Sequence, residues 1–149
     1  MNSIKNFRKL TPLLACAGQP TNAQLKKIAH DKFQVVINLG IQDASYALEN
    51  EEQLVEELGM QYHHIPIPFD NPQLNLLQTF LKVMDGCARK KVFVHCAANY
   101  RASTFAGLYL LANHQMQAYE MEDFINHVWR PNEAWQFFID AAIDSIEGR

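Results

Sequence analysis

Val92-Phe93-Val94-His95-Cys96-Ala97-Ala98-Asn99-Tyr100-Arg101-Ala102-Ser103 is the stretch on which the reading of this sequence turns. Residues 91–95 read as a short buried strand. Residues 102–113 are almost wholly apolar and read as a helix in the centre of a domain. The strand delivers His95 and Cys96 to a short loop, and Arg101 falls where the following helix begins. Such a loop can curl its backbone N–H groups around an oxyanion while the helix N-terminus adds positive potential. The same field favours the thiolate of Cys96, the nucleophilic form of a cysteine. Arg101 supplies a planar fork suited to two oxygens of a phosphate. The expected anion cradle is therefore Ala97, Ala98, Asn99, Tyr100, Arg101, Ala102 and Ser103, with Cys96 at its base and His95 orienting the loop through a backbone hydrogen bond.

Outward from this stretch, helices and strands alternate. Thr21 is a fitting N-cap for a helix over 22–30, and the β-branched run 33–39 reads as a buried strand ending at Gly40. A helix over 49–58, stopped by Gly59, leads to a strand over 62–67 that Pro66 and Pro68 end. Leu74, Leu77, Leu81 and Met84 recur at helical spacing through 73–88, and two further helices are expected over 120–129 and 132–146. Strands separated by helices predict an α/β fold, a mainly parallel sheet with helices on both faces and ligands at the carboxyl ends of its strands. Chemistry is then expected just after Gly40, Pro66 and His95.

No repeat, low-complexity segment or linker divides the 149 residues, so 1–149 reads as one domain. Apolar residues at 48% and charged residues at 19% exclude wholesale disorder. Thirteen Lys and Arg against sixteen Asp and Glu leave a net charge of −3, which gives no footprint for a nucleic-acid partner. No apolar run approaches the roughly 18 residues a membrane span needs, so no membrane partner is expected. Lys5, Arg8 and Lys9 ahead of residues 10–17 suggest a secretory leader. That apolar stretch is short, holds Pro12 and runs into a Gly18-Gln19-Pro20 turn, so it is expected to belong to the fold. Cys16, Cys87 and Cys96, an odd number without metal-ligand spacing, point to a reducing, cytoplasmic setting, with Cys16 and Cys87 inert in the core. Alternation puts His63 and His64 on opposite faces of a strand, so neither they nor any other group is expected to hold a metal.

Taken together, these residues resemble the cysteine-dependent protein tyrosine phosphatases, and specifically their small bacterial dual-specificity-like branch. The resemblance covers nearly the whole chain: Gly18-Gln19-Pro20, Val35-Val36-Ile37-Asn38-Leu39, the Gly59 to Pro68 segment, the Val94-His95-Cys96 strand, Tyr109-Leu110-Leu111 and Arg130-Pro131. It implies that Cys96 attacks phosphorus to form a phosphocysteine, that Arg101 and loop amides hold the phosphoryl oxygens, and that an Asp on the loop after the preceding strand protonates the leaving group. Asp70, in Pro68-Phe69-Asp70-Asn71-Pro72, matches that Asp in position. From the residues alone Asp70 is either a general acid held between prolines or a turn former, and Asp43 is a weaker substitute. The implied substrate is a phosphorylated protein or small phosphate ester, with no cofactor.

Two departures from the family pattern bear on turnover. The family places five residues between Cys and Arg, whereas only the four residues 97–100 stand here, without the usual loop glycines. Asn99 is then the residue able to adopt a positive φ. Ala102 replaces the Ser or Thr whose hydroxyl helps sulfur leave phosphocysteine, with Ser103 one step further round the helix. A four-residue loop is also the length found in rhodanese-type sulfurtransferases, and a module that binds phosphorylated ligands without turnover would use the same cradle. Trp129, Trp135, Phe137 and Phe138 read as core, and the acidic run 49–57 as a solvated helix face.

Overall fold

The computed structural model describes residues 1–148; position 149, the last of the expected domain, lies outside them. Five strands, β1(Arg8–Thr11), β2(Leu14–Ala17), β3(Val35–Asn38), β4(Gln61–His64) and β5(Val92–His95), form one sheet in the order β1-β2-β5-β3-β4. β1 is antiparallel to β2 and every other pairing is parallel. Six helices accompany them: α1(Asn22–His30), α2(Glu51–Glu57), α3(Leu74–Asp85), α4(Tyr100–Ala112), α5(Ala118–Val128) and α6(Glu133–Glu147). This is the α/β architecture that the alternation of elements predicts.

Strand periodicity sorts the central residues between two cores. Leu14, Cys16, Val35, Ile37, Val92 and Val94 pack with α3, α4, α5 and α6, whereas Ala15, Ala17, Val36 and Phe93 pack with Ile4, α1 and α2. α4 is buried on nearly every side, which is why it is apolar all round. The register sets Ala17, His95 and Asn38 side by side, so the loops after β2, β5 and β3 leave from one edge of the sheet.

Local signals explain most boundaries. Thr21 caps α1 through a capping box with Gln24, and Asn132 caps α6 by accepting from the Trp135 amide at 2.9 Å. The β1–β2 hairpin is the element the sequence reading lacks: residues 10–17 belong to the fold as expected, but an apolar stretch this short, broken at Pro12, does not announce a strand pair. β4 ends at His64, short of residue 67, yet the Ile65 and Ile67 amides still donate to Asn38 O and Leu39 O, with the donorless Pro66 between them. α4 begins at Tyr100 rather than Ala102, so Arg101 lies in its first turn. No helix among the described residues is long and apolar enough to cross a membrane.

Candidate active site

The loop from β5 to α4 is shaped from outside by the N-terminal segment. Gln19 N–H donates to Ala97 O at 3.0 Å and Asn6 Nδ2 to Ala98 O at 3.0 Å. Gly18 fits beside the loop only because it lacks a side chain, since a Cβ there would lie 2.6 Å from Ala97 O. With the Ala97 carbonyl drawn toward Gln19, planarity of the trans peptide turns the Ala98 N–H the opposite way, into the loop. Asn99 takes the left-handed conformation, φ 74°, and its Nδ2 donates to Asn6 O at 2.7 Å. Asn6, through Ala98 O, and Asn99, through Asn6 O, thus tie the loop to the N-terminal segment, and Asn99 accepts the positive φ that its residue type allows.

Cys96 is buried at the base of this loop. Its sulfur accepts the Ala102 N–H at 3.4 Å, an amide of the helix start. The Tyr100 and Arg101 amides also open α4 and have no intrahelical acceptor. Ser103 is less suited to the cradle than the sequence suggests. Its amide donates to Asn99 O and its hydroxyl to Tyr100 O, both within the helix start.

Arg101 is only 5% exposed. Its Nη1 donates to Ile67 O at 2.8 Å and its Nη2 to Tyr46 Oη at 3.3 Å, while the rings of Tyr46 and Phe69 flank the guanidinium at 5.8 and 6.0 Å. Its Nε is buried without a partner among the described residues. A buried cationic N–H left unpaired is costly, and an anion is the natural partner for it.

Behind the loop one expectation is corrected and another is extended. Within the acidic run, Glu51 is not solvated: it is 4% exposed, and its carboxylate accepts from His95 Nε2 at 2.5 Å and from Gln19 Nε2 at 2.7 Å. His95 Nδ1 meets the loop backbone at Cys96 O, 3.4 Å away, and its Nε2 is held by Glu51 as well. Burial pushes the Glu51 carboxyl up, but the hydrogen bond and charge of His95, with the Gln19 hydrogen bond, outweigh it and hold the group below the usual carboxylate range. Nothing in the sequence separates Glu51 from its acidic neighbours, and its partners lie 44 and 32 positions away.

Asp70 sits on the expected loop, whose Phe69 reaches the guanidinium and whose backbone is anchored by Trp135 Nε1 donating to Phe69 O at 2.6 Å. Its own side chain is exposed and lines a cleft of about 650 Å³ with Pro72, Leu74 and Phe137. Among the described residues its carboxylate has no hydrogen bond or ion pair. The structure thus brings Asp70's loop to Arg101, and leaves the carboxylate at the rim. Asp43 is exposed on the loop after β3 and lines an acidic cleft of about 590 Å³ with Glu49, Glu52 and Glu56.

The remaining candidates divide cleanly. Cys16 and Cys87 are buried free thiols, and burial pushes the Cys16 thiol up to about 12 despite the Asn99 amide beside it. His64 Nε2 lies 2.7 Å from Gly40 O, and no metal-binding cluster occurs among the described residues. Trp129, Trp135 and Phe138 are core, with Trp129 stacked on Tyr100 at 4.8 Å, but Phe137 is 78% exposed and is corrected to surface.

A strand ending in His-Cys, a short amide-lined loop and an Arg in the first turn of a buried helix, on a mostly parallel sheet, define the cysteine-dependent phosphatase class of fold. No family model and no curated protein matches the sequence. A solved structure of a candidate phosphatase of the DUF442 family from Shewanella putrefaciens CN-32 superposes with a TM-score of 0.90 at 31% identity, covering 97% of this chain and 95% of that one. The chain belongs to the DUF442 family and has the fold of the cysteine-dependent protein tyrosine and dual-specificity phosphatases. The fold is shared more widely. Tk-PTP in its active form matches with a TM-score of 0.76 at 22% identity over 97% of both chains. The core catalytic domain of a PP-IP phosphatase from S. cerevisiae matches with a TM-score of 0.78 at 15% identity, over 97% of this chain and 90% of its own.

Proposed function

We propose that this protein hydrolyses phosphate monoesters through a phosphocysteine on Cys96, in a reducing, cytoplasmic compartment where its three cysteines stay free. The observation that carries the reading is the buried Arg101 Nε, a cationic donor without a partner among the described residues, in the first turn of α4. The phosphoryl oxygens lie against Arg101 and the amides of Ala97, Ala98, Asn99, Tyr100 and Arg101, with the Ala102 amide kept on the sulfur. The Cys96 thiolate attacks phosphorus, the bond from phosphorus to the ester oxygen breaks, and Asp70 gives its proton to the departing alkoxide. Water then attacks the phosphocysteine, its proton passes to Asp70, and the sulfur–phosphorus bond breaks. Ester and water become alcohol and inorganic phosphate, and the thiolate is regenerated. The scheme uses no metal or organic cofactor.

What supports this role for Asp70 is its place at the rim, on the loop whose Phe69 ring reaches the Arg101 guanidinium. The four-residue loop offers one amide fewer than the family pattern, and Ala102 offers sulfur no hydroxyl. Breakdown of phosphocysteine is therefore the expected slow step.

Hydrolysis of an activated aryl phosphate, followed by intact-protein mass spectrometry, tests the reading. Wild type is expected to turn over and to carry a phosphate mass on Cys96 during turnover, and Cys96→Ser to do neither. Arg101→Lys should lose on the order of 100-fold or more in kcat/KM, because a single ammonium cannot reproduce the two-toothed contact. Full activity in Cys96→Ser, or a persulfide mass on Cys96 after incubation with thiosulfate without phosphate turnover, overturns it.

A further inference from the structure

The loop between β3 and α2 places Tyr46 against the guanidinium of Arg101, a position no motif announces. A phenol oxygen offers two acceptor sites and one hydrogen to donate. Both acceptor sites of Tyr46 are occupied: the Ile41 N–H donates to Oη at 2.7 Å and Arg101 Nη2 at 3.3 Å. The O–H hydrogen itself has no acceptor among the described residues.

The ring is also fixed by shape. A Cβ on Gly40 would stand 3.0 Å from Tyr46 Cε1 and 3.2 Å from Oη, so the tyrosine packs into the space that the glycine leaves. Gly40 is in turn tied down, its N–H donating to Asn38 Oδ1 at 2.8 Å and its carbonyl oxygen 2.7 Å from His64 Nε2. Tyr46 Oη is thus held in place before any ligand arrives. It lies beside the same guanidinium whose buried Nε lacks a partner among the described residues. In an arginine, Nε and Nη2 form one edge of the fork, so an oxyanion meeting that edge comes within reach of the phenol hydrogen.

We propose that Tyr46 is an anion-binding residue: its hydroxyl donates to a phosphoryl oxygen held at the Nε edge of Arg101 and so replaces the donor lost with the shortened loop. The inference rests on the phosphate-binding reading above. It adds a donor from a second loop, distant from Cys96 in sequence, to a cradle otherwise built from residues 97–101. The contact is charge-assisted once the anion is present, so its removal should be felt strongly in binding.

Calorimetric titration of the full chain with inorganic phosphate and with tungstate tests it. Wild type, Tyr46→Phe and a protein carrying fluorinated tyrosine at position 46 are compared below the pKa of the fluorinated phenol. The expected result is that wild type binds, that Tyr46→Phe binds on the order of 10-fold or more weakly, and that fluorination, which makes the phenol a stronger donor and a weaker acceptor, tightens binding. Equal affinity of Tyr46→Phe and wild type overturns the proposal and leaves the phosphatase reading standing. Fluorination that weakens binding or leaves it unchanged also overturns it, because Tyr46 would then only accept from Arg101 and hold it in place. If Tyr46→Phe fails to fold, the fluorinated protein decides alone. Absence of anion binding by wild type overturns both this proposal and the phosphate-binding reading beneath it.

Discussion

A carboxylate enters a protein interior only with partners, and Glu51 has two, His95 Nε2 and Gln19 Nε2. The group ties α2 to the strand end that carries the nucleophile and to the segment that shapes the loop. Removing it leaves His95 fully buried without its partner, so Glu51→Ala should cost about 3–5 kcal/mol of unfolding free energy. The sign of the pH dependence follows from the lowered carboxyl. A group whose folded pKa lies below its unfolded value stabilises fully above the ordinary carboxylate range, and that stabilisation is lost as pH falls from there through the lowered folded value. Urea unfolding at a series of acidic pH values should show stability declining through that window in wild type and a flatter profile in Glu51→Gln. Parallel profiles for the two proteins would show that Glu51 does not carry the effect.

At the scale of elements, the cradle is a joint product of the β5–α4 loop and the segment around β2. The loop's own residues announce the site: His95, Cys96, Asn99 and Arg101 are legible because the strand, the positive φ and the helix start each demand a residue type. The outside support is legible only as the Gly18-Gln19-Pro20 turn and not in what it touches, because Asn6 and Gln19 bond to Ala98 and Ala97, and Gly18 packs on Ala97, far along the chain. Tyr46 is hidden for the same reason, since its partner Arg101 lies 55 positions away. Gly18 makes the dependence testable. A Cβ there meets Ala97 O at 2.6 Å, so Gly18→Ala forces the loop to shift. We expect it to lower kcat/KM on an aryl phosphate by on the order of 100-fold, the effect of displacing a catalytic group by about an ångström, with a smaller loss of stability of about 1–3 kcal/mol. Unchanged kcat/KM would mean that the N-terminal segment does not set the loop's shape.

Over the whole molecule, the alternation of strands and helices was enough to read the architecture, because buried strands and a wholly apolar α4 leave a parallel sheet covered on both faces as the consistent arrangement. The β1–β2 hairpin escaped, since β1 is a half-exposed edge strand and the buried apolar run of β2, Leu14–Ala17, is too short behind Pro12 to mark a strand by itself. The sheet divides the interior into two cores that share no residue: Ile28 of α1 belongs to one and Leu108 of α4 to the other, and both are fully buried. Energetic coupling between sites requires shared neighbours or a shared shift of backbone. Ile28→Val should cost about 0.5–1.5 kcal/mol and Leu108→Ala about 2–5 kcal/mol, each through lost transfer energy and the space left behind. Because the β-sheet separates them, the double variant should lose the sum to within about 0.5 kcal/mol, with an unchanged urea m-value because one cooperative unit still unfolds. A coupling well beyond that, measured by urea titration of the four proteins, would show that the sheet deforms as a whole and transmits packing changes from the α1 side to the helix that presents Arg101.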